Sequence, residues 1–467
     1  MAPDPVLFRA YDIRGTYGRT LRDRDAYAIG RAAALMLREG GGRCMAVGRD
    51  GRLSSPALEA ALVQGLLHGG VEVLRIGPGP TPMLYYAEAS MPQADGGIQV
   101  TGSHNPRDDN GFKIVMGGAA LYGAQIARLG ALAAAVSGEE GAFEIGPAPE
   151  PIDIGKAYVE RLLEAFSCLS EAERQRLGRF RIGWDAGNGA AGPVLEALAA
   201  RLPGEHHLLY TAVDGHFPHH HPDPSLPENL TDLCALVAAK RLDFGVAFDG
   251  DGDRIVVVDG RGRAIMGDQL LAMLAQDLLL DRPGALILGD VKSSQAAFDA
   301  IEAAGGQVAM GAAGHSLIKS TMKQIGAALA GETTGHIFYA DRFYGVDDAL
   351  YAALRFMAAL ARRGSSVADW FDTLPRSLST PELRFAVEGA RKLAVVAEVA
   401  ARLEAEGARV NKVDGLRVMR EGGWWLLRAS NTQEMLTARA ESGTEEGLAA
   451  LVAELDAQLA LSGVLRT

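Results

Sequence analysis

Cysteine is scarce in this chain. Cys44, Cys168 and Cys234 are the only three. They are far apart and odd in number, which argues against a disulfide framework and against a CxxC metal site. Basic charge is also short: 46 Lys and Arg stand against 58 Asp and Glu, a formal −12. An extended nucleic-acid or acidic-lipid surface is therefore not expected, although a few Arg and Lys gathered in one cleft could still take a small anion. No apolar run approaches the ~18 residues that a membrane helix needs. The opening MAPDPVLFRAYDIRG has neither a basic n-region nor an apolar h-region, so the expectation is a cytoplasmic chain. A P-loop, GxxxxGK followed by Ser or Thr, is missing, which disfavours that class of enzyme.

What is present is ordinary in bulk. The 467 residues are 48% hydrophobic and 22% charged, as in folded globular proteins. Glycine is the exception, at 57 residues against a norm of about 7%, and we expect the excess in tight loops. One pattern recurs at residues 43–76, 180–210 and 285–310. A short apolar strand ends near Asp or Gly, a small-residue loop follows, and a helix of about three turns leads to the next strand. Pro56 and Pro193 stand where helices start, and Gly69 and Gly305 where they end. This alternation predicts an α/β fold: three similar α/β domains with mixed, mostly parallel sheets. The last stretch, with its GWWLLRA strand, reads as a smaller C-terminal α+β domain. The expected divisions are 1–150, 151–250, 251–375 and 376–467.

Four segments carry chemistry. In Asp249-Gly250-Asp251-Gly252-Asp253-Arg254, three carboxylates at alternate positions can converge on a hard cation such as Mg²⁺ or Ca²⁺. An EF-hand is excluded, because its sixth position would be Arg254 and its twelfth Gly260. In a plain Asp-Gly turn the three aspartates would repel each other. In Thr101-Gly-Ser103-His104-Asn105-Pro106, a serine on a flexible loop follows a buried strand, where α/β ligand sites form. A free hydroxyl needs a base or metal, and His104 and Lys113 are near for proton traffic. Glu332, Thr333, Thr334 and His336 share a Gly-bounded loop suited to vicinal sugar hydroxyls. Arg428, Ser430, Asn431 and Thr432 sit on one turn with the makings of a phosphate cradle. Two other features are weaker. The GNGAAG run of residues 187–192 spells a dinucleotide fingerprint but meets Pro193 at once. The histidines His216, His219, His220 and His221 lie in a proline-rich run without a cysteine partner, and an inter-domain loop is the plainer reading.

Together, FRAYDIRG, TGSHNP, DGDGDR, GETTGH and RASNT, in that order, resemble the α-D-phosphohexomutase family, most closely its bacterial phosphomannomutase/phosphoglucomutase branch. VGRDGR, DAGNGAAG, PDPSLPENL, DVKSS and GHSLIK add to the likeness, which spans nearly the whole chain. It implies an active site in a central cleft between the domains. It also implies that Ser103 is phosphorylated and, with Asp249, Asp251 and Asp253, holds Mg²⁺. Arg254 and Arg14 would act at the reacting end, beside Tyr11, with Lys113 and His104 assisting proton transfer. Lys292 and His315 would line the cleft. Glu332 and Thr334 would bind sugar hydroxyls beside His336, while Arg428, Ser430, Asn431 and Thr432 would grip the other phosphate. The implied reaction interconverts hexose 1-phosphate and hexose 6-phosphate, of glucose or mannose, through a hexose 1,6-bisphosphate that turns end for end. The expected partner is a phosphorylated hexose, with no nucleic acid or membrane.

Two departures from the family pattern stand out. Thr334 replaces a common serine and adds a methyl, and Glu434 replaces a common proline beside the phosphate cradle. Two alternative activities remain open at this point: a phosphoglucosamine mutase, and a nicotinamide-dependent dehydrogenase using GNGAAG. A non-catalytic phosphosugar sensor is a third reading.

Overall fold

Three times along the chain a strand, a helix and a second strand are followed by a third strand that turns back as a hairpin. The computed structural model describes residues 2–137, 146–430 and 434–466. In the first unit the parallel strands are Cys44–Arg49, Glu72–Pro78 and Gly96–Val100, joined by helices Ser55–His68 and Thr81–Ser90. Helices cover both faces, so Gly96–Val100 is buried at every position. Gly96–Val100 then returns antiparallel as Asp109–Met116, which takes Ile13–Thr16 on its far edge. The second sheet repeats this path. Arg181–Asp185, Glu205–Leu209 and Phe244–Phe248 are parallel, and Ile255–Asp259 and Ala264–Ile265 are antiparallel. The third does so again, with Leu286–Asp290, Gln307–Gly311 and Leu329–Gly331, then Ile337–Tyr339 and Val346–Asp347.

Parallel pairing is confined to three strands of each sheet, because the third strand returns through a short loop rather than a crossover helix. That topology also bears on the second joint. A division between residues 250 and 251 would cut the hairpin whose strands pair from Phe244↔Asp259 to Phe248↔Ile255. The second sheet runs on to Ile265.

Apolar packing ties the units unequally. One continuous core joins the second and third units and takes in Ile76, Met83 and Leu84 of the first, with Phe244 edge-on to Phe356 and Phe356 stacked on Trp370. The first unit centres on its own core around helix Asp23–Glu39. The C-terminal unit is an antiparallel sheet of Leu378–Ser379, Met435–Ser442, Gly423–Ala429, Leu416–Arg420 and Arg409–Asn411, with Leu383–Ala386 also paired to Met435–Ser442. Strand periodicity of two sends neighbouring tryptophans apart. Trp425 and Leu427 enter the core beneath helices Arg391–Ala405 and Glu445–Ala460. Trp424 and Leu426 instead meet Val291 and Ala313 of the third unit. Among the described residues, no helix is long and apolar enough to cross a membrane.

Candidate active site

The three chemistry-bearing loops occupy the same place in the three units: each closes the hairpin after the third parallel strand. Residues 101–108 follow Gly96–Val100, residues 249–254 follow Phe244–Phe248, and residues 332–336 follow Leu329–Gly331. The first two loops touch. Ser103 is buried, with φ +49°. Its Oγ donates to Asp249 Oδ2 at 2.9 Å and lies 3.1 Å from His104 Nδ1. With its one proton given to Asp249, Oγ is an acceptor toward His104 Nδ1–H. The approach depends on glycine, since a Cβ on Gly250 would stand 2.5 Å from the Ser103 carbonyl oxygen.

The Ser103 loop is clamped from below. The buried Arg52 guanidinium donates to the carbonyls of Ser103 (2.8 Å), Asn105 (2.6 Å), Pro106 (2.6 Å) and Asp109 (2.9 Å). Asp50 accepts from Gly102 N–H at 3.0 Å. Neither residue was picked out as a site residue from sequence. Their only signal is the VGRDGR segment at the end of the first parallel strand.

Asp249, Asp251 and Asp253 are wholly buried and offer oxygens within 4.8 Å of one another. Asp251 Oδ2 accepts from Thr81 Oγ1 (2.5 Å), Lys113 Nζ (2.7 Å) and Thr101 Oγ1 (3.0 Å). Lys113 also pairs with Asp253. Burial and the neighbouring Asp251 and Asp253 push Asp249 well above the usual carboxylate range. Burial raises Asp253 too, but Lys113 and His336 outweigh it and hold Asp253 well below. Burial likewise opposes the Lys113 ammonium, yet Asp251 and Asp253 keep its pKa above the usual lysine value. Asp251 Oδ1 is buried with no hydrogen-bond partner among the described residues. Three hard oxygen donors, among them the unsatisfied Asp251 Oδ1, fit a divalent cation such as Mg²⁺.

The third loop reaches the same place. His336 Nε2 lies 3.2 Å from Asp253 Oδ1, and its Nδ1 lies 3.0 Å from Glu332 Oε2. Burial opposes the imidazolium, but Asp253 and Glu332 raise His336 to about 9. Glu332 Oε1 accepts from Gly314 N–H at 2.6 Å. Arg254 Nε stands 3.4 Å from His336 Nε2. Arg14 is buried, bonded to Asp12 (2.7 Å) and to the Thr101 carbonyl (3.1 Å). Burial, then the charges of Arg254 and Arg14, hold His104 well below the usual histidine range. Burial and Lys319 do the same for His315.

A cavity of about 580 Å³ collects one part of the expected set: Ser103, His104, Lys113, Arg254, Arg14, Tyr11, His315 and His336. His221, from the histidine run, and Arg9 line it as well. Lys292, Thr334 and Arg428 line a separate cavity of about 600 Å³. Arg428 is held there by Asp414 at 2.6 Å. Glu332 and Ser430 line neither cavity, and the Ser430 carbonyl accepts from Lys392 at 2.6 Å. Asn431 and Thr432 lie outside the described residues. The GNGAAG loop is filled by protein: Ala190 N–H donates to the Gly250 carbonyl at 2.9 Å, and a Cβ on Gly189 would stand 2.8 Å from that oxygen. It braces the carboxylate loop and leaves no cradle for a pyrophosphate. His220 and His219 serve the same bracing, bonded to Asp185 (3.0 Å) and Asn188 (2.7 Å).

Four consecutive stretches match models of known protein domains. These are Phosphoglucomutase/phosphomannomutase, alpha/beta/alpha domain I, at residues 5–137, domain II at 156–262, domain III at 266–378, and the C-terminal domain at 382–458. The chain is 41% identical over 442 residues to a phosphomannomutase/phosphoglucomutase of Pseudomonas aeruginosa, covering 95% of this chain and 93% of that protein. It is 42% identical over 445 residues to a phosphoglucomutase of Neisseria gonorrhoeae, covering 95% and 94%. Among solved structures, a phosphoglucomutase/phosphomannomutase family protein from Burkholderia thailandensis superposes with a TM-score of 0.89 at 39% identity, covering 99% of this chain and 98% of that one. An N-acetylphosphoglucosamine mutase from Aspergillus fumigatus shares the fold, with a TM-score of 0.61 at 15% identity over 98% of this chain and 96% of that one.

Proposed function

The chain belongs to the phosphoglucomutase/phosphomannomutase family, and from that premise we propose how its own residues perform the phosphohexomutase reaction on glucose and mannose phosphates. The observation that carries the reading is the contact of Ser103 Oγ with Asp249 inside a buried carboxylate triplet. A serine so placed suits a covalently held phosphoryl group. Asp249, Asp251, Asp253 and Ser103 would hold Mg²⁺, which when bound supplies positive charge to the transferring group.

Transfer between O1 and O6 directly across a hexose ring is geometrically implausible, so a relay is needed. Phosphorylated Ser103 gives its group to the free sugar hydroxyl, breaking the P–Oγ bond and forming a P–O bond to the sugar. The hydroxyl proton is relayed to Oγ through neutral His104, which lines the cavity and touches Oγ. The resulting hexose 1,6-bisphosphate turns, and its other phosphate returns to Ser103 by the same steps reversed. Phosphoryl transfer depends on positioning and on neutralising spread charge. Lys113, Arg254, Arg14 and His336 bring positive charge to the reacting end. Lys292 and Arg428, in the second cavity, suit the phosphate that is not reacting, and Thr334 beside them suits a ring hydroxyl.

Intact-protein and peptide mass analysis should find one phosphoryl group, on Ser103. Ser103→Ala should lose at least about 10³-fold in turnover. An unmodified serine together with an undiminished Ser103→Ala variant would sink the reading. Turnover of glucose, mannose and glucosamine 1-phosphates side by side separates this activity from that of a phosphoglucosamine mutase.

A further inference from the structure

One buried cluster behind the reacting end has no task in the mechanism above. Lys319, on helix His315–Ile325, is buried, and its ammonium meets three acceptors. These are Asp347 Oδ1 at 2.7 Å, Tyr85 Oη at 3.0 Å and His315 Nδ1 at 3.3 Å. An ammonium has three protons and no lone pair, so Lys319 donates in every contact. His315 Nδ1 must then present its lone pair, which leaves the ring proton of the neutral imidazole on Nε2. Nε2 is buried, has no hydrogen-bond partner among the described residues, and belongs to a side chain lining the Ser103 cavity.

The opposite tautomer has its acceptor already in place. Asp347 Oδ2 lies 3.5 Å from the same Nδ1 and has no hydrogen-bond partner among the described residues. Without the lysine, Nδ1–H would turn to that carboxylate and Nε2 would become an acceptor. The choice between a donor and an acceptor at Nε2 thus rests with one ammonium.

We propose that Lys319 is a positioning residue that fixes His315 as the Nε2–H tautomer, so that His315 offers a neutral N–H to an oxygen of the phosphorylated sugar at the Ser103 end. The identity of that oxygen rests on the phosphohexomutase reading, whereas the tautomer does not. A neutral donor aimed at developing charge adds stabilisation without adding net charge to a site already rich in cations.

The test uses the full chain labelled with ¹⁵N-histidine. Long-range ¹H–¹⁵N correlation spectra show which ring nitrogen carries the proton, and the spectrum of His315→Gln assigns the resonance. In the parent, Nε2 should be protonated and Nδ1 bare near neutral pH. In Lys319→Met the proton should move to Nδ1, with kcat falling about 10²-fold and KM changing less than about threefold. A parent spectrum showing Nδ1–H or an imidazolium overturns the proposal, as does a Lys319→Met variant that keeps Nε2–H. Should Lys319→Met not fold, Asp347→Asn still leaves the lysine to donate and should retain Nε2–H; a flip there also overturns it. A wrong tautomer in an active enzyme sinks this inference alone. The right tautomer in a protein that turns over no hexose phosphate sinks the functional reading and spares the tautomer.

Discussion

Asp348 shows what a single residue contributes when it is both buried and titratable. Its Oδ1 accepts from Tyr351 N–H at 2.8 Å, capping helix Ala349–Arg363, and its Oδ2 accepts from Tyr158 at 2.7 Å. Burial raises its pKa from 3.8 to about 7, against the lowering effect of these bonds. A carboxyl that holds its proton more tightly folded than unfolded stabilises the fold fully below the unfolded pKa. That stability is lost as pH rises through the folded pKa. The loss is on the order of 4 kcal/mol between pH 4 and 7. Asp348→Asn keeps the cap acceptor and removes the titration, so urea midpoints measured from pH 4 to 8 should fall less steeply with pH than those of the parent. An unchanged slope would assign the pH dependence elsewhere. Residue-scale legibility was uneven. Ser103, the three aspartates and Lys113 were readable because their chemistry is rare at that spacing. Asp347, Asp348 and Arg52 were not, because a lone Asp or Arg looks like a solvated one until the fold buries it.

At the scale of elements, the hairpin is the device that delivers each loop. Strand pairing on both sides of residues 101–108, 249–254 and 332–336 fixes both ends of each loop, so a few glycines and one clamp set its course. Arg52 is that clamp for the Ser103 loop. Replacing it with Met leaves four backbone carbonyls without their donor, and Asp50, now 3.4 Å from its guanidinium, without its counter-charge. Arg52→Met should cost about 3–5 kcal/mol in urea melts. Its kcat should drop by about 10²-fold through misplacement of Ser103. A variant with parental melt and parental kcat would show that the loop holds itself. The repeated strand–helix units were legible in the periodicity. The hairpin crossing residue 250 was not, because an Asp-Gly run reads equally well as a joint and as a turn.

For the whole molecule, the question is how the C-terminal unit stays on the third. Arg417, fully buried, donates to the carbonyls of Val291 (2.9 Å) and Ser293 (2.7 Å) and lies over Trp424 at 3.7 Å. Glu441 Oε1 accepts from Ser294 Oγ and Gln295 N–H, both at 2.9 Å. The apolar part of the contact is small, so buried polar groups set the docking. Arg417→Met should raise amide hydrogen exchange at residues 291–295 and 416–429 while leaving the first unit's core protected; uniform exchange across the chain would mean the docking is not local. By itself the sequence determined the α/β class, the three repeats, the odd last unit and the segments whose side-chain types suit a cation, a sugar and a phosphate, because propensity, periodicity and chemical type are local. Only the tertiary structure decided that the three hairpin loops take equivalent places and that Ser103 meets Asp249. It also decided that GNGAAG braces a loop rather than cradling a nucleotide, and that Lys319 faces His315. These are distances between residues far apart in the chain, and only the fold sets such pairs side by side, where each partner sustains the charge that burial opposes.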